Sequence, residues 1–366
     1  MNKKLLSLLL SAALAVSMLT VPAFAAEGGE ADAVLDETNE VVVTLGDTVT
    51  ASTVEDTDKA AAGKTETTDS APAASTEKKQ ITYVALGDSI VAGVGLADVK
   101  YANDNTTLYS VDMSPNFKGY SPDCYVGKVA AMMGLDRDHA INLGLPALTA
   151  PDLVDMVRDG QMPKMNMESG CWYKYPEFQD YIRKADVVSV QIGSNDAFVP
   201  CIVALGNATN WKSEALAASV LAGDLRASGS PAAALIQGVK DMHLTRDERN
   251  ATWNLLTSEM SKICDRIYPQ TTAALISVVQ EIRKLNPDCQ ILLMGYTDPV
   301  PFIPCWHNYF KKLNKFEKQL AETYDLTYVA IPKAKTDLDV HPTISGHEYI
   351  AKKIVNSIEL PEDSAQ

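Results

Sequence analysis

The chain has 366 residues, 46% of them hydrophobic and 22% charged, the balance of a folded protein and not of a disordered one. Its formal net charge of −15 sets up a field that repels a phosphate backbone, so nucleic acid is excluded as an expected partner.

From the N-terminus, residues 1–25 read as an export signal. Lys3 and Lys4 form the basic start, Leu5 to Leu19 the apolar stretch, and Ala23-Phe24-Ala25 an A-x-A cleavage site. The mature protein is therefore expected to be secreted or associated with the cell envelope. No transmembrane segment is expected in it, because no later stretch reaches the roughly 18 uninterrupted apolar residues of a spanning helix. Residues 26–80 are a different material, rich in Thr and Ala, with thirteen acidic residues against four lysines. Such a segment buries too little apolar surface to offset its ordering entropy and is expected to be a disordered linker. The folded domain is expected over 81–366, a length that supports a sizeable core.

Within that domain, apolar runs at 81–86, 139–143, 186–192, 290–295 and 326–331 read as buried parallel strands. Helical spacing is expected over 119–133, 258–285 and 348–358. Strand alternating with helix predicts an α/β fold, a three-layer α/β/α sandwich around a central five-stranded parallel sheet. Ligands of such sheets sit outside the carboxyl ends of the strands. Insertions at about 160–178 and 200–257 are expected to form walls or lids there. Six cysteines permit up to three disulfides without revealing the pairing. Their irregular spacing, with no C-x-x-C, predicts no structural zinc.

Four short segments carry the chemistry. Gly87-Asp88-Ser89-Ile90 follows the first strand, Asn142-Leu143-Gly144 closes the second, Gly193-Ser194-Asn195-Asp196 follows the third, and His341-Pro342 lies near the C-terminus. A serine hydroxyl becomes a nucleophile when a base takes its proton. Ser89 is the expected nucleophile and His341 the expected base, its turn stiffened by Pro342. The Gly144 amide and the Asn195 side chain are candidate donors to a developing oxyanion. Of the other histidines, His347 is expected at the start of the last helix, and His307 either lines the pocket or is structural.

Together these segments resemble the SGNH/GDSL hydrolases, a family of serine esterases and lipases. The resemblance spans roughly residues 81–355. It implies a flavodoxin-like sheet, an acyl-enzyme formed on Ser89, and an oxyanion held by the backbone N–H groups of Ser89 and Gly144 and by the Asn195 amide. It implies neither a cofactor nor a metal. Asp88 and Asp196 are expected to brace the site. One departure stands out. The family places an aspartate three residues before the histidine, and here that position is Leu338. Asp339, with the shorter path, or Asp337 completes the triad, or a Ser–His dyad works alone.

Rival motifs are missing. No Gly-Lys-Ser/Thr follows the glycines near Ser89, no G-x-G-x-x-G occurs, and Ser89 does not sit in G-x-S-x-G. The expected activity is hydrolysis of carboxylic esters, with a small ester, a lipid or an acylated glycan as substrate. The alternatives are a carbohydrate O-deacetylase or acyltransferase and, outside enzymes, a surface binding module on a hydrolase fold. Oligomeric state is not legible in the sequence.

Overall fold

The structure, a computed structural model, describes residues 80–100, 109–110, 117–216, 231–298, 304–336 and 341–359. The expected export signal and nearly all of the expected linker lie outside the described residues, as do Asp337 and Asp339.

In chain order the elements begin with β1 (Tyr83–Gly87), α1 (Ser89–Ala92), β2 (Val99–Lys100), β3 (Tyr109–Ser110), α2 (Tyr125–Met133) and β4 (Ala140–Gly144). There follow α3 (Ala150–Asp159), α4 (Phe178–Arg183), β5 (Val187–Gln191), α5 (Ser194–Ala208), α6 (Pro231–Asp241) and α7 (Arg246–Asn254). A π-helical turn, Leu255–Glu259, leads into α8 (Met260–Leu285), then β6 (Gln290–Met294), α9 (Pro304–Tyr324), β7 (Thr327–Val329) and α10 (Ile344–Val355).

Five strands form one parallel sheet in the order β4-β1-β5-β6-β7. All five expected strands are present, with ends shifted by one or two residues. Counted along the chain, the order is the flavodoxin-like one, in which the chain switches direction beside the first strand. Every residue of β1, β4 and β5 is buried, so both faces of the sheet are covered. This is why these strands read as unbroken apolar runs and do not alternate. α2 packs with α10, while α8 packs with α3, α5 and α9. Among the described residues no helix is long and apolar enough to cross a membrane.

Helix starts differ from the periodicity where a cap intervenes. α2 begins at Tyr125, after the Ser121-Pro122 turn, with Cys124 Sγ accepting the Gly127 N–H. α10 begins earlier than expected, at Ile344, because Thr343 caps it through the Gly346 N–H. All six cysteines are buried free thiols, so none of the permitted disulfides is formed in this structure. The 160–178 insertion makes a short hairpin bridged at Gln161 and Lys174. It buries Met162, Tyr173 and Tyr175 and exposes Met165, Met167 and Trp172.

Gly144 is a glycine because α1 lies on it. A Cβ there would stand 2.3 Å from the Ala92 backbone nitrogen and 2.7 Å from the Val91 carbonyl carbon. Backbone atoms cannot rotate away, so Gly144→Ala is expected to lower unfolding stability by about 3 kcal/mol or more. Urea unfolding measures it, and a loss below about 1 kcal/mol would show that α1 can retreat.

Candidate active site

The site assembles at the carboxyl ends of β4, β1 and β5, where Gly144, Gly87 and Gln191 stand in register. Asp88 caps α1, its Oδ1 accepting the Ile90 N–H at 2.9 Å. Its Oδ2 accepts from Ser194 Oγ at 2.7 Å and from Tyr296 OH at 3.1 Å. One buried carboxylate thus ties the Ser89 turn to the start of α5 and to the end of β6. Burial pushes the Asp88 carboxyl above its ordinary value, opposed by these hydrogen bonds and by the nearby His341.

Ser89 and His341 lie 252 positions apart in sequence, yet His341 Nε2 sits 3.0 Å from Ser89 Oγ. Only 2% of His341 is exposed. The fold therefore brings together the two residues singled out as nucleophile and base. Asn195, buried at the start of α5, donates from Nδ2 to the Leu148 carbonyl at 3.0 Å. An amide nitrogen carries two hydrogens, so one holds the 145–148 turn and the second has no acceptor among the described residues. Gly193 makes this entry possible with φ +122, a backbone setting that L side chains rarely adopt.

Gly144 is placed differently from the expectation. It lies at the end of β4, but its N–H donates to Asn142 Oδ1 at 2.9 Å. Asn142 Nδ2 in turn donates to Val91 O at 2.8 Å. The Asn142-Leu143-Gly144 segment therefore braces α1 against β4, and its glycine N–H is not offered to a ligand. Three residues on, Ala147 has φ +58, which costs an L residue roughly 1–2 kcal/mol. Its flanks are pinned. Tyr173 OH donates to Pro146 O at 2.7 Å, and Leu148 O is held by Asn195. Among the described residues no acceptor takes the Ala147 N–H. Sequence reading missed this residue because alanine gives no signal of a left-handed backbone.

Asp196 also braces the site, its Oδ2 accepting the Ala150 N–H at the start of α3 at 2.9 Å. Burial pushes its carboxyl up from 3.8 to about 7, opposed by the hydrogen bonds from Ala150 and Thr271. The fold thus binds this proton more tightly than the unfolded chain does. Stability from this group is fully present below about 4 and is lost as pH rises through about 7. Asp196→Asn keeps an acceptor for Ala150 and removes the titration. It is expected to be more stable than the parent at pH 8 and to flatten the decline between pH 5 and pH 8. Urea midpoints at the two pH values test this. An unchanged slope would mean that Asp88 and Glu317, also raised by burial, account for it all.

The remaining histidines stand outside the Ser89 contact. His347 is buried in α10, accepts the Tyr125 N–H on Nδ1, and is pushed down to about 3 by burial. His307 Nδ1 lies 2.6 Å from Asp298 Oδ2 on a half-exposed surface. Among the described residues no group of His, Cys, Asp and Glu could hold a metal ion.

Several solved structures are similar in fold. A phospholipase A1 from Streptomyces albidoflavus NA297 aligns at 15% identity over 76% of this chain and 100% of that one, with TM-score 0.42. An extracellular lipase from Streptomyces rimosus aligns at 14% identity over 76% and 100%, with TM-score 0.43. A catalytic mutant of an acetylxylan esterase from Geobacillus stearothermophilus aligns at 18% identity over 77% and 98%, with TM-score 0.37. No curated protein matches the chain in sequence. The sequence profile of the GDSL-like Lipase/Acylhydrolase family, however, matches residues 85–349, from inside β1 to inside α10, and so takes in every segment that meets at this site. The chain belongs to that family.

Proposed function

We propose that the protein is an exported serine hydrolase of carboxylic esters that works through an acyl-enzyme on Ser89. The observation that carries this reading is the 3.0 Å contact between His341 Nε2 and Ser89 Oγ. At that distance the imidazole takes the hydroxyl proton as Ser89 attacks the ester carbonyl. The protonated imidazole then gives its proton to the departing alkoxide. A water, deprotonated by the same His341, attacks the acyl-enzyme and releases the acid.

The negative oxygen that develops in each step faces the start of α1 and the 145–148 turn. Its donors in this reading are the Ser89 N–H, the Ala147 N–H in place of that of Gly144, and the free hydrogen of Asn195 Nδ2. Donors fixed before reaction stabilise the transition state without reorganising. The strained Ala147 backbone and the Leu148–Asn195 contact supply that rigidity here. Asp88, locked by three hydrogen bonds, positions α1 and does not touch the substrate.

A carboxylate on His341 Nδ1 would set the imidazole tautomer and stabilise the imidazolium. Asp339 is proposed for this, with Asp337 as the alternative. Asp339→Asn is expected to depress kcat by as much as roughly 10⁴-fold with binding retained, and Asp337→Asn by less than about 10-fold. The reverse order assigns Asp337. Two near-normal variants establish a Ser89–His341 dyad.

The substrate class is tested with p-nitrophenyl esters of increasing chain length alongside acetylated xylan, and by labelling with a fluorophosphonate. Ester turnover with labelling of Ser89 supports the reading. Release of acetate from xylan without turnover of longer esters favours the O-deacetylase. Absence of both labelling and turnover leaves a binding module. Export, proposed from residues 1–25, is tested by the N-terminal sequence of protein recovered from the medium.

A further inference from the structure

The hairpin of the 160–178 insertion takes no part in the proposed reaction, yet it is built onto the site. Its arms pair through Met162 N–H to Tyr173 O at 2.9 Å and Tyr175 N–H to Gly160 O at 2.7 Å. Its tip is tied to the first turn of α3, where Asn166 Nδ2 donates to Asp152 Oδ2 at 3.0 Å. Its second arm is tied to the residue before Ala147, because Tyr173 OH and Cys171 Sγ both donate to Pro146 O. The tip therefore stands on the rim at the carboxyl ends of the strands, beside the 145–148 turn.

The tip is closed from within and apolar outward. Asn166 Oδ1 accepts the Glu168 and Ser169 N–H groups, and the Asn166 N–H donates to Cys171 O. A loop held by these contacts still presents Met167 78% exposed, Trp172 54% and Met165 43%. Met165 and Trp172 flank the Asn166–Cys171 contact on the two arms, so they are neighbours across the hairpin. Trp172 Nε1, the one donor of that side chain, is engaged by Met162 O at 3.1 Å. What the indole shows to solvent is ring carbon. Lys164 and Lys174 stand exposed on opposite arms, and neither has an ion-pair partner among the described residues. Two lysines against Glu168 leave residues 161–174 at +1 in a chain of −15.

We propose that this hairpin docks the protein on a phospholipid bilayer and so brings the Ser89 site onto lipid esters; the second half rests on the ester-hydrolase reading, the first does not. A contiguous apolar patch on an exposed tip marks an interaction surface. Methionine and indole side chains enter the boundary between headgroups and acyl chains, where tryptophan is favoured. Lysines on the two arms reach lipid phosphates while their stems follow the apolar layer. A second copy of the chain fits less well, because a two-fold contact through the hairpin gathers four lysine charges. A glycan also fits less well. Its hydroxyls would give up water for methionine side chains and for an indole whose N–H is already engaged.

The test uses the full chain carrying Ser89→Ala, so that lipid is not consumed, with vesicles of phosphatidylcholine and phosphatidylglycerol at roughly 3:1 and about 1 mM lipid. Co-sedimentation reads binding, and lipids brominated in the acyl chain read the depth of tryptophan. Binding with quenching is expected, and Trp172→Phe should lose the quenching although Trp211, Trp253 and Trp306 remain. Met165→Asp with Met167→Asp should weaken partitioning by about tenfold or more, and Lys164→Glu with Lys174→Glu by about tenfold at low salt. All four positions are exposed, so Tm should stay near that of the parent. No binding to vesicles, or binding that the methionine pair leaves unchanged, overturns the proposal. So does retention on acetylated xylan, or a dimer, that depends on Trp172 or Met167 while vesicles are ignored. With Ser89 restored, the methionine pair should keep hydrolysis of p-nitrophenyl acetate within about twofold while turnover of vesicle phospholipid falls with binding. Unchanged phospholipid turnover overturns delivery to the site. Vesicle binding by a parent chain that neither hydrolyses esters nor takes fluorophosphonate upholds the docking and overturns the hydrolase reading. Ester turnover without vesicle binding does the reverse.

Discussion

Replacing Ser89 by alanine is expected to abolish ester hydrolysis and fluorophosphonate labelling together. The hydroxyl is the only atom lost, and it is the atom that His341 Nε2 approaches at 3.0 Å. Without it no acyl-enzyme forms, and what survives is activation of water by the remaining donors. Removing a nucleophile of this kind typically leaves roughly 10⁻⁴ to 10⁻⁶ of the rate. The fold should survive. Asp88 still caps α1, and Gly144 still seats it. The single hydrogen bond lost to His341 costs about 1 kcal/mol. Rate and unfolding free energy should be measured on the same preparation. A folded variant that labels fully at another serine removes Ser89 from the nucleophile's role.

Asn195→Ala is expected to lower kcat by roughly 10²–10³-fold with a smaller change in KM. The asymmetry follows from when the contact matters. In the proposed reaction the amide meets a neutral carbonyl oxygen in the bound substrate and a full negative charge in the tetrahedral intermediate, so its loss would fall on the chemical step. A second, structural effect accompanies it. Leu148 O loses its donor, and an unpaired buried carbonyl costs about 1–3 kcal/mol. This also frees one side of the turn that holds Ala147. Two donors are then disturbed by one change, which places the expected loss toward the upper end of the range. A variant that keeps kcat but loses affinity would move Asn195 from the oxyanion to substrate binding.

Site residues differed in how openly the sequence displayed them. Ser89 and Asn195 each follow a strand that reads as an unbroken apolar run, and their positions just past its end need only local pattern. His341 needed its Pro342 neighbour and the company of the other motifs. Gly144 was visible for the wrong reason. A glycine after a strand signals close approach of something, and here the approaching body is the α1 backbone, at 2.3 Å from where a Cβ would stand. Ala147 carried no signal at all, since its φ of +58 is imposed by the contacts of Pro146 and Leu148 with Tyr173 and Asn195. Both contacts cross tens of residues in the chain.

The sequence by itself determined the α/β class, the five strands and the main helices, and it singled out Ser89 and His341, which the fold brings into contact. Periodicity, apolar run length and turn chemistry act over a few residues and are written in order along the chain. The strand order β4-β1-β5-β6-β7 and the Ala147 N–H, without an acceptor among the described residues, were decided only by the tertiary structure. Each depends on which distant segments are packed together. A hydrogen-bond donor lacks a partner only relative to atoms that folding brings from elsewhere in the chain.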